Sequence, residues 1–149
     1  MKKSDKMDYL WLILALLSAV AAAFVGIFAK IGLANIDTNT ATAIRAVIMA
    51  LFLILVVLVE GKLVNVSSIL SDKSAMFYIV LSGIAGALSW LFYFLALKLG
   101  EVSQIVPIDR LSIVFAIILA VLFLGEKLSW KVGIGAALMA VGAIIIAIP

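Results

Sequence analysis

Three charged residues sit where a membrane-length apolar sequence should carry none. Arg45 lies about a third of the way into the apolar block 38–59, and the adjacent pair Asp109 and Arg110 lies near the middle of the block 102–125. A charge at the centre of a spanning helix costs roughly 2.5–3.5 kcal/mol on insertion scales. Three of them in one small chain must face water or the interior of a helix assembly and find partners there. Asp109 and Arg110 are neighbours in sequence, so they project about 100° apart on a helix and do not face each other. Asp109 is therefore expected to pair with Arg45 or with a group on another subunit. Pro107 stands just before the pair, where it removes a backbone donor and frees a carbonyl beside the charges. Interrupted helices at mid-membrane are where transporters hold their cargo.

A second set of polar groups shares one helix face. Ser82, Gly86, Ser89 and Tyr93 follow at intervals of four, three and four residues, with Trp90 adjacent. That spacing stacks them along one side of a helix. Such a stripe serves equally as a packing face and as a cavity wall with hydroxyls and an aromatic platform. Thr38, Thr42 and Arg45 form a comparable line on the preceding block. With neither Cys nor His in the chain, disulfides, Cys or His nucleophiles and His-ligated metals are excluded. No cofactor or metal is expected. Only Asp109 offers an intramembrane carboxylate, so acid–base catalysis lacks a second group and an enzyme is not expected.

The elements that position these residues follow from composition. The chain has 149 residues, 67% hydrophobic and 13% charged, with a mean hydropathy of +1.38. A soluble domain averages roughly 45–50% apolar and 25% charged, so this chain belongs in a membrane and is neither soluble nor disordered. Its charges divide it into five apolar blocks, at about 9–29, 38–59, 74–97, 102–125 and 130–148. Each approaches the 20 or so residues a spanning helix needs. The run Leu51-Phe52-Leu53-Ile54-Leu55-Val56-Val57-Leu58 does not alternate as a barrel strand would. The expectation is an all-α integral membrane protein of five transmembrane helices forming a single domain. Between the second and third, Leu63, Val64, Val66, Ile69 and Leu70 punctuate a polar stretch suited to the membrane surface.

Ala19-Val20-Ala21 imitates a signal-peptidase site, but the apolar run continues to Ala29, which suits a span instead. Small residues recur four apart at Ser18, Ala22 and Gly26, at Ser82 and Gly86, and at Gly133 and Ala137, as helices that approach closely in lipid require. Lys2, Lys3, Lys6, Lys62, Lys73, Lys127 and Lys131 fall on one side of the membrane, against Lys30 and Lys98 on the other. This imbalance places the N-terminus in the cytoplasm and the C-terminus outside. A net charge of +3 reflects that topology and does not indicate nucleic-acid binding.

The segments Pro107-Ile108-Asp109-Arg110-Leu111-Ser112 and Leu124-Gly125-Glu126-Lys127-Leu128-Ser129-Trp130 carry a resemblance. So do Gly133-Ile134-Gly135-Ala136-Ala137-Leu138 and Val141-Gly142 in the last block. Together they resemble the EamA-type repeat of the drug/metabolite transporter superfamily, within its small five-helix bacterial and archaeal group. Arg45 and the ending Trp90, Tyr93, Ala96, Leu97, Lys98 fit the same pattern. Small multidrug resistance proteins are a nearby group, but they have four helices and an essential Glu in the first, which holds no acid here. The resemblance implies one half-repeat of a ten-helix transporter in the plasma (inner) membrane. It also implies pairing with a second five-helix chain, as a homodimer or with a different subunit. An antiparallel pair would mimic the ten-helix arrangement, whereas the lysine count favours a single orientation. The implied function is export of a small metabolite or drug-like solute. Arg45 and Arg110 would attract an anionic or zwitterionic group. Asp109 would balance them and could carry a coupling proton, and Ser82, Ser89, Trp90, Tyr93 and Ser112 would line the path. Glu126 would anchor a helix end at the membrane edge. The alternative is a membrane scaffold or accessory subunit that does not transport.

Overall fold

The computed structural model describes residues 9–148. Lys2, Lys3 and Lys6, which contribute to the expected topology, lie outside the described residues. Among the described residues all regular structure is helical: α1 (Leu10–Gly32), α2 (Thr38–Val59), α3 (Val64–Ser71), α4 (Lys73–Leu99), α5 (Val102–Asp109), α6 (Ser112–Leu124) and α7 (Trp130–Ala147). With α5 and α6 taken as one interrupted span, five segments are long and apolar enough to cross a membrane. The chain is an all-α membrane protein, as its sequence leads one to expect. In hydrocarbon every backbone N–H and C=O must be satisfied within the segment, and only helices do this without a closed barrel.

The helix boundaries have local chemical causes. Asp37 caps α2, its Oδ1 accepting from the Thr40 N–H at 2.7 Å and the Thr40 hydroxyl at 2.8 Å. Asp72 accepts from the N–H groups of Ser74 and Ala75, 3.0 Å each, at the start of α4. The Ser129 hydroxyl accepts from the Val132 N–H at 3.3 Å and starts α7. Each supplies an acceptor for donors that have no intrahelical partner. Gly125 ends α6 with φ +67°, and the following Glu126 N–H reaches back six residues to the Ala120 carbonyl. That left-handed residue followed by a six-residue reach is the Schellman arrangement, which favours glycine. The polar stretch after α2 folds as the short helix α3, whose Val64, Val66, Ile69 and Leu70 are exposed, as is Leu63 just before it.

The chain forms two compact units. One comprises α1 and the chain from Leu99 onward, and the other spans Leu33–Lys98. In the first, α5 packs most extensively against α7, with further packing of α1 on α5 and of α6 on α7. Gly26 of α1 and Ala136 and Ala143 of α7 are buried. The packed face of α7 is Gly133, Ala136, Ala140 and Ala143, spaced three, four and three, all buried or half-buried. Ala137, the expected partner of Gly133, is exposed. The small-residue principle holds, but the face is set by the 3.6-residue period and not by a strict interval of four. On α1, Gly26 is buried and Ala22 half-buried, while Ser18 is exposed.

Two lysines close helix ends. The Lys30 Nζ donates to the Gly100 carbonyl at 2.7 Å, within the first unit. The Lys98 Nζ donates to the Ile36 carbonyl at 3.1 Å, within the second. Both ammonium groups sit near helix C-termini, where a positive charge complements the free carbonyls.

Candidate functional site

The second unit holds the clearest site. Between α2 and α4 lies a groove of about 540 Å³. Its α2 wall is built from Thr42, Ala43, Arg45, Ala46, Met49 and Ala50, and its α4 wall from Gly83, Gly86, Ala87, Trp90 and Leu91. Small residues on both helices open the space: Ala43, Ala46 and Ala50 face Gly83, Gly86 and Ala87 across it. A Cβ added at Gly83 or Gly86 would meet nothing within 4 Å. Arg45 is the charged residue among those lining the groove.

The Arg45 guanidinium lies over the Trp90 ring, with Cζ 3.6 Å from the ring centroid, and 5.3 Å from the Phe94 centroid. Trp90 is braced in turn. Its ring meets Tyr93 edge-on at 5.7 Å and Phe94 edge-on at 5.4 Å, and Phe94 is 3% exposed. These edge-to-face contacts fix the Trp90 plane. A cation on an aromatic face gains about 0.5–1 kcal/mol when exposed and about 2 when desolvated. Stacking therefore offsets part of the cost of a charge in the span. No carboxylate of this unit pairs with Arg45: the ion pair found there joins Lys62 to Glu60 at 2.6 Å between exposed side chains.

Upstream on the same face of α2, Thr38 and Thr42 are buried. The Thr42 hydroxyl donates to the Thr38 carbonyl at 2.7 Å, which satisfies it inside the helix. Asp37, at the mouth of the helix, is held below the usual carboxylate range. The Thr40 backbone N–H is the largest cause, followed by the Thr40 hydroxyl, with a smaller contribution from Lys98.

Of the residues the sequence singles out, α2 and α4 bring together Arg45, Trp90 and Tyr93. Ser82 and Ser89 lie on α4 but are exposed and do not line the groove. The groove face of α4 is Gly83, Gly86, Ala87 and Trp90, one residue round from the serine stripe. Gly86 of the sequence stripe also lines the groove, whereas Phe94, Met49 and the other small residues of the two walls join the site through the fold. For the small residues a signal does exist in the sequence, in the three-and-four spacing of Ala43, Ala46 and Ala50.

Asp109, Arg110, Ser112 and Pro107 belong to the other unit, at the junction of α5 and α6. Pro107 stands inside α5, two residues before its end at Asp109. Across the junction the bonding tightens: Leu111 N–H reaches Ile108 O at 3.0 Å, and Ile113 N–H reaches Arg110 O at 3.1 Å. These three-residue reaches replace the α-helical pattern for about one turn. The break between α5 and α6 falls at Arg110 and Leu111, three residues after the proline. Asp109 is half-buried there, while Arg110 and Ser112 are exposed. In the same unit, a groove of about 400 Å³ between α6 and the start of α7 includes Glu126 and Lys127. Glu126 is exposed, in the turn that closes α6.

Comparison with known proteins agrees with these elements. Residues 9–148 match the EamA-like transporter family. A Sinorhizobium protein described as an uncharacterized transporter in the cobO 3' region is 42% identical over 142 residues, which cover 95% of this chain and 99% of that protein. An uncharacterized Methanocaldococcus jannaschii protein is 28% identical over 101 residues, covering 68% of this chain and 71% of that one. No solved structure matches the chain.

Proposed function

The chain belongs to the EamA-like transporter family, and from that premise we propose that it carries a small organic solute across the membrane, with the α2–α4 groove as its substrate site. Family membership and the five apolar spans make it a multi-pass membrane transport protein. The observation that carries the finer reading is the guanidinium of Arg45, stacked on Trp90 within a mostly apolar groove whose other polar lining residues are the neutral Asn39 and Thr42. A charge retained in a span at such cost serves function more often than packing.

In this reading the working unit is a pair of five-helix chains. One repeat supplies half of an alternating-access site, and a partner supplies the other. The N-terminus faces the cytoplasm, the direction is export, and Asp109 carries a coupling proton at the α5–α6 interruption. Lys30 and Lys98, which run against the lysine count, have a separate reason for their places, because both close helix ends on backbone carbonyls.

The test works with the substrate unidentified. Proteoliposomes containing the full-length chain are loaded with an isotope-labelled extract of bacterial metabolites. They are expected to release at least one labelled solute faster than vesicles containing Arg45→Gln. Asp109→Asn is expected to remove the dependence of that release on an imposed proton gradient. Release no faster than from protein-free vesicles for every solute would refute the transport reading and favour a membrane scaffold, whereas equal release above that background from native and Arg45→Gln vesicles would move the substrate site away from Arg45.

A further inference from the structure

Resting on the assignment of the α2–α4 groove as the substrate site, we propose that this groove selects organic monoanions with a flat apolar body, and rejects zwitterions and cations of the same shape.

Among the described residues that line the groove, Arg45 carries the one charge and none is a carboxylate. The stacking geometry then decides how that charge is offered. With Cζ 3.6 Å from the Trp90 centroid, the guanidinium is in van der Waals contact with the ring. Its face is thus covered, and its N–H donors, which lie in its own plane, radiate from the edge. Such an edge matches a carboxylate or sulfonate, which accepts two parallel bonds. Within this unit no hydrogen bond or ion pair occupies those donors. An ammonium group on the ligand would find no acid in the groove, and would face Arg45 as a like charge. Burying an unpaired charge is costly, so a zwitterion is disfavoured against a monoanion.

Small residues face each other across the groove, Ala43, Ala46 and Ala50 on one side and Gly83, Gly86 and Ala87 on the other. They leave a slot between the helices, which the adaptable Met49 and the apolar Leu53 and Leu91 also line. The volume of about 540 Å³ falls within the roughly 300–1,000 Å³ of small-molecule sites.

Depth separates a solute from a lipid. Arg45 is the eighth residue of α2, so it lies about 10 Å along the helix from its start at 1.5 Å per residue. That is inside the hydrocarbon core and not at headgroup level. A phospholipid would have to leave its leaflet plane to place its phosphate there.

The experiment is equilibrium binding, so it is independent of whether flux occurs. Trp11→Phe with Trp130→Phe leaves Trp90 as the remaining tryptophan of the three, and both replaced rings are exposed on other helices. This full-length protein, in phosphatidylcholine nanodiscs, is titrated with 2-naphthoate while Trp90 fluorescence is read. Saturable quenching is expected. 2-Naphthamide, the zwitterion 2-naphthylalanine and the cation 2-naphthylmethylammonium should each bind at least roughly 10-fold more weakly, the scale of one charge-assisted bond. Acetate should bind at least as weakly, because it lacks the apolar body. Arg45→Gln should abolish the preference for naphthoate over naphthamide, and Arg45→Lys should retain part of it. The comparison among ligands on the unsubstituted Arg45 stands even if neither variant folds. Equal binding of naphthoate and naphthamide, or tighter binding of the zwitterion, would overturn the proposal. So would loss of naphthoate binding in phosphatidylglycerol nanodiscs, which would identify the occupant as an anionic lipid. Failure here with solute release intact would leave the transport reading standing, whereas binding without release would overturn transport alone.

Discussion

At the scale of single residues, two side chains show how local chemistry decides behaviour. Arg45 keeps its charge within a span because Trp90 and Phe94 offer it aromatic faces, which a neighbouring alkyl side chain could not do. The sequence marks both Arg45 and Trp90, but as separate features on separate helices. Their stacking is a long-range contact, and no spacing rule within one helix reports it. Asp37 acts at the other end of α2. Its folded-state value is depressed, so its contribution is complete above the ordinary carboxylate value and is lost as pH falls through the depressed one. Asp37→Ala is expected to speed hydrogen exchange of the Thr40 amide at neutral pH. The difference between variant and native protein should shrink in strong acid, where Asp37 is protonated in both states. A difference that grew on acidification would show that the cap acts through something other than its ionised carboxylate.

At the scale of elements, glycines serve different purposes in different helices. Gly125 is required by its backbone: φ is +67°, yet a Cβ there would meet nothing within 4 Å. Gly125→Ala should therefore cost about 1 kcal/mol from left-handed strain alone, without any packing defect. A denaturation midpoint unchanged by the substitution would contradict that account. Gly86 is required by the groove and not by its backbone, which is helical. Gly86→Ala should be neutral or stabilise α4 by about 0.5–1 kcal/mol, because alanine is the better helix former. Gly86→Leu should leave helicity unchanged while filling the groove and lowering solute release several-fold. Release that survived Gly86→Leu would move the substrate site elsewhere. Pro107 marked this segment in the sequence, but a proline removes a bond to, and crowds, the turn before it. The break lies three residues after it, where the three-residue bonding at Leu111 and Ile113 belongs to the re-entry into α6, which the proline does not account for.

At the scale of the whole molecule, few side chains are buried by the chain itself: Leu33, Phe94, Leu97, Ala136 and Ala143 make up the buried hydrophobic set among the described residues. The remaining apolar surface must be covered by lipid or by another chain, since lipid offers no hydrophobic drive for helices to close on one another. A homodimer is the proposed arrangement, and its orientation is measurable. Single cysteines placed in the α2–α3 turn of this cysteine-free chain, at exposed Lys62, can be labelled from either side of intact cells. One-sided labelling from the cytoplasm is expected from the lysine imbalance. Equal labelling from both sides would show that the chain inserts in both orientations, as an antiparallel pair requires.

The sequence by itself determined the solvent, the element type and their number, because charge placement in so apolar a chain leaves helices as the one way to satisfy the backbone in lipid. It also marked Arg45, Trp90 and the Pro107–Ser112 segment, because charges and prolines are conspicuous where hydrocarbon disfavours them. Only the tertiary structure decided which face of α4 lines the groove, and it chose Gly83, Gly86, Ala87 and Trp90 over the serines. Rotation of a helix about its axis is set by what packs against it. In α4 hydrophobic residues surround the whole circumference, so the sequence pattern carries almost no rotational preference for a neighbour to be inferred from.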